Sequence, residues 1–540
     1  MTANIIDPIR SKAEGFVDMG NLDQAEILYR KILSHNDKDT DANYMLGVIL
    51  AEKADFIPAI EFLNKAIEIN SQYPDSYFIL AKIQQVKREY QHAFDNCLIA
   101  TSLDAEFDEA WLLLCSLSRA LNENPQAIIS CEQALKFYPD SIVAHSNLAD
   151  VLFNEHKFEE ASEYYNKAIL LEQTNVSILK KLCLSLLKCK KFKNALDAAN
   201  AGLRVEPNEI DFLNFITEAK IELKELDNAE SAANTALLTS PNDVNALINM
   251  GNVIQKRHQY KEAITWYKKA LEIDTDNASI YHNLGVSYFK LDEKDQSANE
   301  FRKALELNPN LSVSKHMLAV ALGENEARAD NDYVTDLFDE YAHRYDEHQK
   351  DLKYRVPEHV NNAVQQLYSE NKLIEKVSVL DLGCGTGLCA PHLKDISSSL
   401  IGVDLSPDMV DIADKLGLYS ELVVGDMSEC MNDRPNAFGL AVAGDVFVYI
   451  GDLDQEFKAA RIALKEGAFF VFTVQVNDAA DEYELTDTGR YNHADNYIKT
   501  LIDSYGFIQE FSKDIISRVD YGVPVNSRIY VLQNKKEYLN

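Results

Sequence analysis

Small residues recur along the first part of the chain with a fixed period of 34 positions. Ten successive markers of this period are all small: Ala13, Gly47, Ala81, Cys115, Ala149, Cys183, Thr217, Gly251, Gly285 and Ala319. A second series of small residues, nearly all alanine, follows twelve positions behind the markers. Apolar residues between them are spaced three and four apart, as in AIEFLNKAIEIN, which is the pattern of an amphipathic helix. Each period therefore predicts two helices that pack closely through their small residues.

One such helix pair cannot bury its apolar face alone, so neighbouring pairs must stack. Proline closes four of the periods at one fixed offset, where the chain must leave a helix: Pro139, Pro207, Pro241 and Pro309. This pattern resembles the tetratricopeptide repeat, with nine units over about residues 6–311 and a capping helix near 312–322. The resemblance implies a right-handed all-α superhelix whose concave groove binds an extended peptide or a partner helix.

Asparagines stand two positions before several markers, on the face that would line this groove. Asn249 and Asn283 are the candidates for substrate binding, because an Asn side chain can hydrogen-bond a peptide backbone of any sequence. Ordinary polar positions on a helix explain the same residues equally well. The ligand of the groove therefore stays open.

The period ends after Leu322, and a different pattern follows a polar junction at 323–332. From Tyr333 onward, β-rich apolar runs alternate with helical stretches, which predicts a parallel sheet covered by helices. The predicted strands are 377–382, 399–404, 421–425, 438–444 and 468–476, with helices at 388–396, 406–417, 452–467 and 493–506. Two final runs, 507–517 and 524–532, can pair antiparallel at the sheet edge. The predicted domains are 6–322, the junction 323–332, and 333–540.

A glycine loop, VLDLGCGTGL, follows the first predicted strand. Its glycines are Gly383, Gly385 and Gly387, whereas the dinucleotide fingerprint G-x-G-x-x-G would require glycine at Leu388. With Asp381 at its head, the run resembles motif I of class I S-adenosylmethionine-dependent methyltransferases. The resemblance implies an α/β Rossmann-like domain that binds S-adenosyl-L-methionine and releases S-adenosyl-L-homocysteine.

Further residues stand at the order and spacing that this resemblance requires. Asp404 ends the next strand, where a carboxylate can accept hydrogen bonds from both ribose hydroxyls. Bare backbone at Gly383 and Gly385 leaves space for the methionine portion of the ligand, and Asp381 can accept a hydrogen bond from its ammonium group. The resemblance adds the remaining predicted cofactor contacts: Cys384, Gly387, Leu405, Met409, Asp426 and Met427.

The segment 337–357 is rich in Tyr, His and Arg and resembles the helix that covers the cofactor in this class. Together with the repeats and the glycine motif, it resembles a bacterial family of methyltransferases that carry tetratricopeptide repeats. Four residues are thereby implied as cofactor or substrate contacts: Tyr341, Tyr345, Tyr354 and Arg355. Helix packing and surface ion pairs are the alternative explanation for them.

The acceptor side is predicted from two loops. The resemblance implies that AGDVFVYIGD (443–452) borders the methyl group, which makes Asp445 a candidate base and Tyr449 a substrate contact. In the later segment GRYNHADNY, Arg490 can bind an anionic acceptor group, while Tyr491 and His493 can act as bases. A base is needed only if the acceptor carries a proton at working pH.

Composition limits the partners. A formal charge of −33, from 86 acidic against 53 basic residues, argues against a nucleic-acid binder. The chain has neither an apolar run long enough to span a bilayer nor a signal peptide, so we expect a cytoplasmic protein with no membrane partner. Eight cysteines without a C-x-x-C pair predict buried free thiols and no metal site. Nothing indicates the oligomeric state.

Two hypotheses of function follow. The first is a methyltransferase whose repeats recruit a peptide or protein acceptor and present it to the C-terminal domain. The second is a scaffold whose repeats assemble a complex while the methyltransferase domain acts on a small molecule. The cofactor positions are intact under both hypotheses, but the acceptor is not identified by either.

Overall fold

The computed structural model describes residues 3–520 and 522–535. The chain divides into two compact units, Met1–Pro241 and Asn242–Asn540. This division falls before the predicted junction at 323–332, because the last helical repeats belong to the same unit as the sheet. The boundaries at 322 and 333 stay a prediction of where the domains divide.

The first unit consists of seven antiparallel helix pairs within its described residues. Their bounds repeat with the period found in the sequence: α1 Ala3–Asp18, α2 Leu22–His35, α3 Thr40–Glu52, α4 Phe56–Ile69, α5 Pro74–Val86, α6 Tyr90–Leu103, α7 Asp108–Ala120, α8 Asn124–Phe137, α9 Ile142–Asn154, α10 Phe158–Leu171, α11 Val176–Lys188, α12 Phe192–Val205, α13 Ile210–Glu222 and α14 Leu226–Thr239.

The second unit begins with two further pairs and a single helix. These helices are α15 Val244–Lys256, α16 Tyr260–Leu271, α17 Ala278–Lys290, α18 Lys294–Leu307 and α19 Ser312–Leu322. The described part of the chain thus contains nine helix pairs followed by the single helix α19, while the division into nine repeats and a capping helix stays a prediction.

The glycine markers Gly47, Gly251 and Gly285 pack against the residue sixteen positions later, on the partner helix. A Cβ atom on Gly251 would lie 2.4 Å from Cε1 of Tyr267, and one on Gly285 would lie 2.6 Å from the ring of Phe301. Such contacts leave no room for a larger marker, since helix interiors are close-packed. At these positions the marker is therefore small because its partner is large.

In one repeat, cysteines occupy both of these facing positions. Cys115 and Cys131 lie with their Cα atoms 4.7 Å apart and form a disulfide. The prediction of free thiols is wrong for this pair, because the packing rule of the repeat brings positions sixteen apart into contact. The other six cysteines are free, and five of those are buried.

The turn inside each pair places one residue in the left-handed region of backbone conformation. Gly20 has φ +70° in the first turn. At intervals of 34 residues the same position is then held by non-glycine residues with φ between 59° and 63°: Ala54, Arg88, Asn122, His156, Lys190, Lys224, His258 and Asp292. A side chain at such a helix end costs free energy that glycine avoids.

A mainly parallel sheet follows the array in the second unit. Its strands are β1 Val377–Leu382, β2 Ser397–Asp404, β3 Glu421–Val424, β4 Phe438–Ala443, β5 Leu464–Val476, β6 Tyr483–Leu485, β7 Tyr491–His493, β8 Phe507–Asp520 and β9 Val523–Asn534. The parallel order is β3-β2-β1-β4-β5, and β9 lies antiparallel between β5 and β8. Helices flank this sheet: α20 Asn331–Asp351, α21 Val356–Ser369, α22 Ala390–Leu393, α23 Pro407–Asp414, α24 Met427–Asn432, α25 Asp454–Ala463 and α26 Asp495–Tyr505.

The predicted α/β architecture is confirmed, with local differences. The expected helix over 452–467 ends at Ala463, because Leu464 already pairs with Phe438 of β4 and starts β5. The predicted antiparallel pair forms as β8 and β9, but only β8 lies at the edge. The short hairpin of β6 and β7 was not predicted. It attaches to β5 through Gln475 and Val476.

The repeated left-handed position generates a stability prediction. Replacing the exposed Arg88 or Lys224 by glycine relieves a strained backbone, and we expect each change to raise the free energy of unfolding by up to about 1 kcal/mol. The matched control is Gly20→Ala, which should lower it by a similar amount. Denaturant titration measures both effects. A lower midpoint for Arg88→Gly and Lys224→Gly would contradict the assignment.

Candidate active site

The strand order reverses direction between β1 and β4. At such a point the loops that leave neighbouring strands diverge and open a cleft at the carboxyl edge of the sheet. A cavity lies here, and we call it the first cavity. Its walls include nine predicted site residues: Tyr345, Gly383, Gly385, Asp404, Leu405, Asp426, Met427, Asp445 and Tyr449.

The glycine loop forms the floor of the first cavity after β1. Gly383 and Gly385 have φ of +60° and +54°, a conformation that glycine adopts without strain. A Cβ atom on Gly383 would lie 2.6 Å from Cγ2 of Val446, so bare backbone is required there. Cys384 and Gly387 shape the loop from outside the cavity lining, and the amide of Cys384 donates to the carbonyl of Val403 at 3.0 Å.

Asp404 lies at the end of β2 with its carboxylate held by backbone amides. Oδ2 accepts from the amide of Gly385 at 2.8 Å, and Oδ1 accepts from the amide of Ser406 at 3.0 Å. Each oxygen keeps a second lone pair for a ligand hydroxyl. Burial raises the pKa of Asp404, and the two amide donors oppose that rise.

Asp426 follows β3 and caps α24. Its Oδ1 accepts from the amides of Ser428 and Glu429, and its Oδ2 accepts from Arg328 Nη2 at 3.0 Å. The other guanidinium nitrogen, Nη1, is 3.8 Å from the buried Glu456. Arg328 Nε has no hydrogen-bond partner. This corner of the cavity thus offers both an acceptor and a donor to a ligand.

Arg328 comes from residues 327–329, which we call the strap. The strap forms an antiparallel bridge with the loop after β4: the amide of Ala329 donates to Tyr449 at 3.0 Å, and the amide of Gly451 donates to Ala327 at 2.8 Å. Arg328 and Ala329 line the first cavity. The predicted polar junction is therefore a wall of the site.

The end of the repeat array is anchored next to the strap. His316 on α19 donates from Nε2 to the carbonyl of Gly489 at 3.0 Å, and its ring stacks on Tyr333 with the ring centroids 4.1 Å apart. Asn325 bonds β6 twice, donating to the carbonyl of Tyr483 and accepting from the amide of Leu485. These contacts fix where the strap runs.

Helix α20 covers the cavity, as the resemblance implied for this segment. Asp339 accepts from the hydroxyl of Ser406 at 2.5 Å, and Asp346 accepts from the hydroxyl of Thr386 at 2.6 Å. Both partners belong to loops that follow β2 and β1. The helix is therefore pinned to the two loops that hold the glycines and Asp404.

A second cavity adjoins the first and shares Phe338, Tyr345, Asp445 and Tyr449 with it. Its lining adds predicted residues Tyr341 and Arg490, and also residues that the sequence did not indicate: Arg344, His348, Gln349, Arg518 and Asp520. The shared wall separates the glycine loop from these charged groups.

Asp445 occupies that shared wall in a left-handed conformation, with φ +61°. Its amide donates to Oγ1 of Thr473 at 2.8 Å, and its Oδ2 accepts from Arg518 at 2.7 Å. A non-glycine residue in this region is held there by its surroundings. Burial raises the pKa of Asp445, whereas the guanidinium of Arg490 opposes that rise.

Several predicted cofactor contacts lie outside the lining of the first cavity. Asp381 is buried beneath the glycine loop and accepts from the hydroxyl of Tyr419 at 2.7 Å. Met409 is fully buried. Tyr354 packs against the core beneath α21, and Arg355 is exposed and pairs with Glu358 at 2.9 Å. The alternative of packing and surface ion pairing describes these last two residues.

The structure does not bring Tyr491 and His493 to either cavity. Both are buried, and His493 Nε2 donates to the carbonyls of Ile450 and Gly451. Burial lowers the pKa of His493 to about 4, so its neutral form supports the loop after β4. The strand β7, absent from the prediction, turns both side chains into the core.

The two asparagines predicted for the groove lie on first helices of the last two repeats. Asn283 Nδ2 donates to Oδ1 of Asn252 at 3.2 Å, and that oxygen also accepts from the hydroxyl of Tyr267. Asn249 lies on α15. Asn283 is thus partly engaged in bonds between neighbouring repeats.

Sequence reasoning missed Arg328, Phe338 and Arg518. Arg328 lies in a polar stretch that the sequence analysis interprets as a linker. An arginine between two alanines is the one signal in that stretch that could have indicated a functional residue. Arg518 belongs to β8 and lies at a register shift beside the buried Ser517, so periodicity carries no sign of its partner Asp445.

A doubly wound sheet with a glycine loop after β1 and carboxylates after β2 and β3 defines a class I methyltransferase-type domain. Comparison with known families agrees. A methyltransferase-domain family matches residues 379–467. Tetratricopeptide-repeat families match residues 40–73, 142–175, 256–292 and 278–311. The chain thus carries both kinds of element that the sequence resembled.

Curated relatives match the methyltransferase part. The 18S rRNA (guanine-N(7))-methyltransferase of Bos taurus is 35% identical over 65 residues, which are 12% of this chain and 23% of that protein. A ubiquinone biosynthesis O-methyltransferase of Xanthomonas euvesicatoria is 25% identical over 130 residues, which are 23% of this chain and 54% of that protein. The chain thus spans between a fifth and a little over half of these relatives.

Solved structures resemble each part separately. A tetratricopeptide repeat protein from Parabacteroides merdae is 17% identical with a TM-score of 0.40, covering 46% of this chain and 98% of that one. An S-adenosylmethionine-dependent methyltransferase from Leishmania major is 17% identical with a TM-score of 0.29, covering 34% and 73%. Among the described residues, no helix combines the length and apolarity needed to cross a bilayer.

The contact between Arg328 and Asp426 predicts a role for the strap in ligand binding. Arg328→Ala should weaken binding of S-adenosylmethionine about tenfold, because a charge-assisted hydrogen bond that orients Asp426 is lost. Isothermal calorimetry on the full chain measures the effect. Arg355→Ala is the matched control and should leave the affinity unchanged. The reverse ranking of the two variants would contradict the placement of Arg328.

Burial of Asp381 predicts a pH dependence of stability. Burial raises its pKa to about 7, against the hydrogen bond from Tyr419, which lowers it. The stabilisation that comes with the protonated form is present below the ordinary pKa of an aspartate and is lost as pH rises through about 7. Asp381→Asn should flatten this decline in denaturant midpoints between pH 4 and 7. An unchanged slope would show that Asp381 is ionised throughout.

Proposed function

We propose that this protein transfers a methyl group from S-adenosyl-L-methionine to a peptide or protein that its repeats recruit. The observation that carries the proposal is the first cavity, where bare glycine backbone, Asp404 and Asp426 converge at the reversal of the sheet. The enzyme class, the cofactor and the acceptor are parts of one proposal, and each is supported by different residues.

The chemistry of the first cavity fits an adenosyl ligand. The free lone pairs of Asp404 match two ribose hydroxyls, and Asp426 Oδ2 can accept from the amino group of adenine. The unpartnered Nε of Arg328 can donate to a ring nitrogen of the base. Met427 and Leu405 supply apolar contact for the ring. When bound, the ligand supplies an electrophilic methyl group on a sulfonium.

The residues of this chain position the acceptor and exclude water. Helix α20 covers the first cavity, and Tyr345, Tyr449 and Phe338 form an aromatic wall between the two cavities. Phe338 and Tyr449 contact edge to face, with centroids 5.3 Å apart. A dry, fixed geometry of this kind is the main contribution that an enzyme makes to methyl transfer, because the displacement needs little covalent help.

The repeats support a macromolecular acceptor. An array that binds a peptide raises its local concentration at a neighbouring site. The alternative function is a scaffold whose methyltransferase domain acts on a small molecule. The hydrogen bond from Asn283 to Asn252 favours this alternative, because it leaves the amide of Asn283 only partly available to a peptide. We also propose a cytoplasmic location, which the six free cysteines suit. We propose no nucleic-acid partner, because the net charge of −33 opposes binding to a phosphate backbone.

The test uses radiolabelled S-adenosylmethionine and the full chain. Asp404→Ala should abolish binding of the methyl donor in calorimetry, because both ribose hydrogen bonds are lost. Asp395→Ala removes an exposed carboxylate at the opposite end of β2 and is the control. Unchanged affinity in Asp404→Ala, with the fold intact by circular dichroism, would refute the cofactor assignment.

The second arm separates the two acceptor classes. The double variant Asn249→Ala, Asn283→Ala should reduce labelling of protein bands in a cell extract while leaving the affinity for the methyl donor unchanged. Label that appears only in small molecules, equally for this variant and the wild type, would favour the scaffold alternative.

A further inference from the structure

The second cavity contains a guanidinium without an ion-pair partner. Arg490 lines this cavity, and in the described ranges 3–520 and 522–535 no carboxylate oxygen lies within 4 Å of it. The charged or titratable groups that act on it are Asp445, Tyr449, Asp520 and Tyr333. Of these, Asp445 is already paired with Arg518, whose side chain is 4% exposed.

Arg490 donates to the hydroxyl of Tyr449, which carries no charge. Removing a guanidinium from water without an opposite charge is costly, so a cation in a cavity wall favours an anionic occupant. Arg490 adjoins Tyr449 and Asp445, which form the wall shared with the first cavity. An anion that pairs with Arg490 would therefore lie beside the methyl-donor site. A carboxylate suits this position because its flat pair of oxygens matches the guanidinium fork.

The shared wall offers no strong general base. An ion pair with Arg518, whose Nη1 is 2.7 Å from Oδ2, weakens Asp445 as a base. Burial raises the pKa values of Tyr345 and Tyr449, so both hydroxyls stay neutral. His348 lines only the second cavity, where it bonds the hydroxyl of Tyr341. An acceptor that is already deprotonated needs no base.

We infer that the second cavity binds the carboxylate of the acceptor through Arg490, and that the product is a methyl ester. This inference rests on the proposed methyltransferase function. A carboxylate oxygen forms a bond to the methyl carbon, the carbon–sulfur bond breaks, and its electron pair stays on sulfur. The anion and the sulfonium are both neutralised, and no proton is released. The carboxylate comes from a peptide or from a free organic acid.

The experiment gives the full chain radiolabelled S-adenosylmethionine with the protein fraction and, separately, the small-molecule fraction of a cell extract. Methyl esters release volatile methanol in alkali, whereas N-methyl and aryl O-methyl groups do not. We expect alkali-volatile label, and the fraction that contains it identifies the source of the carboxylate. Alkali-stable label overturns the inference, as does no label in either fraction when calorimetry shows intact binding of the methyl donor. Lost binding instead would count against the proposed function itself.

Variants identify the residue. Arg490→Gln should raise KM for the labelled acceptor at least about tenfold and leave the affinity for the methyl donor unchanged, since a buried ion pair is lost on the acceptor side only. Lys499→Gln removes an exposed charge of the same sign, paired with Asp495, and should change neither value. Equal KM values for Arg490→Gln and the wild type overturn the assignment.

A third variant tests the absence of a base. With a carboxylate acceptor, the rate of the wild-type chain should stay level from neutral to mildly alkaline pH, and His348→Gln should keep that level profile whatever its effect on KM. A loss of turnover of about a hundredfold or more in His348→Gln, together with a wild-type rate that rises with pH, would identify His348 as a general base. The acceptor would then be an amine or alcohol. That result overturns the carboxylate inference.

Discussion

The reversal of strand order between β1 and β4 is the constraint on which the site depends. Because the two strands diverge into opposite loops, the sheet leaves a cleft into which Asp404, Asp426 and the glycine loop all project. The covering elements follow from that cleft. Helix α20 is tied to the loops after β1 and β2, and the strap is bridged to the loop after β4. Each wall is thus attached to a strand end.

The two cavities differ in the charged side chains that they present to a ligand. The first cavity presents carboxylates held by backbone amides, which suit the hydroxyl and amino groups of a nucleoside. The second presents arginines, of which Arg518 neutralises Asp445 while Arg490 stays available. An aromatic wall lies between them.

Periodicity made the repeats predictable, because every helix pair obeys one packing rule and one turn geometry. Alternation and the glycine motif likewise predicted five strands and the residues at their ends, such as Asp404. Prediction failed where tertiary contact decides. Cys115 and Cys131 are linked only because facing positions meet. Tyr491 and His493 lie in the core because an unpredicted hairpin joins β5, and Arg328 gains its partner from a bridge formed far along the chain.

The strap has a consequence for how such a chain can change over evolutionary time. Residues that line both cavities fall between 328 and 520, and the repeats of the first compact unit end at Pro241. Duplication or loss of whole repeats before that point would leave the strap and its bridge untouched. Exchange of the entire array would disturb them, because the donor would have to replace His316 of α19, whose bond to Gly489 anchors the array next to the strap. The number of repeats can therefore change, whereas the last repeat must be inherited together with the methyltransferase-type domain that it contacts.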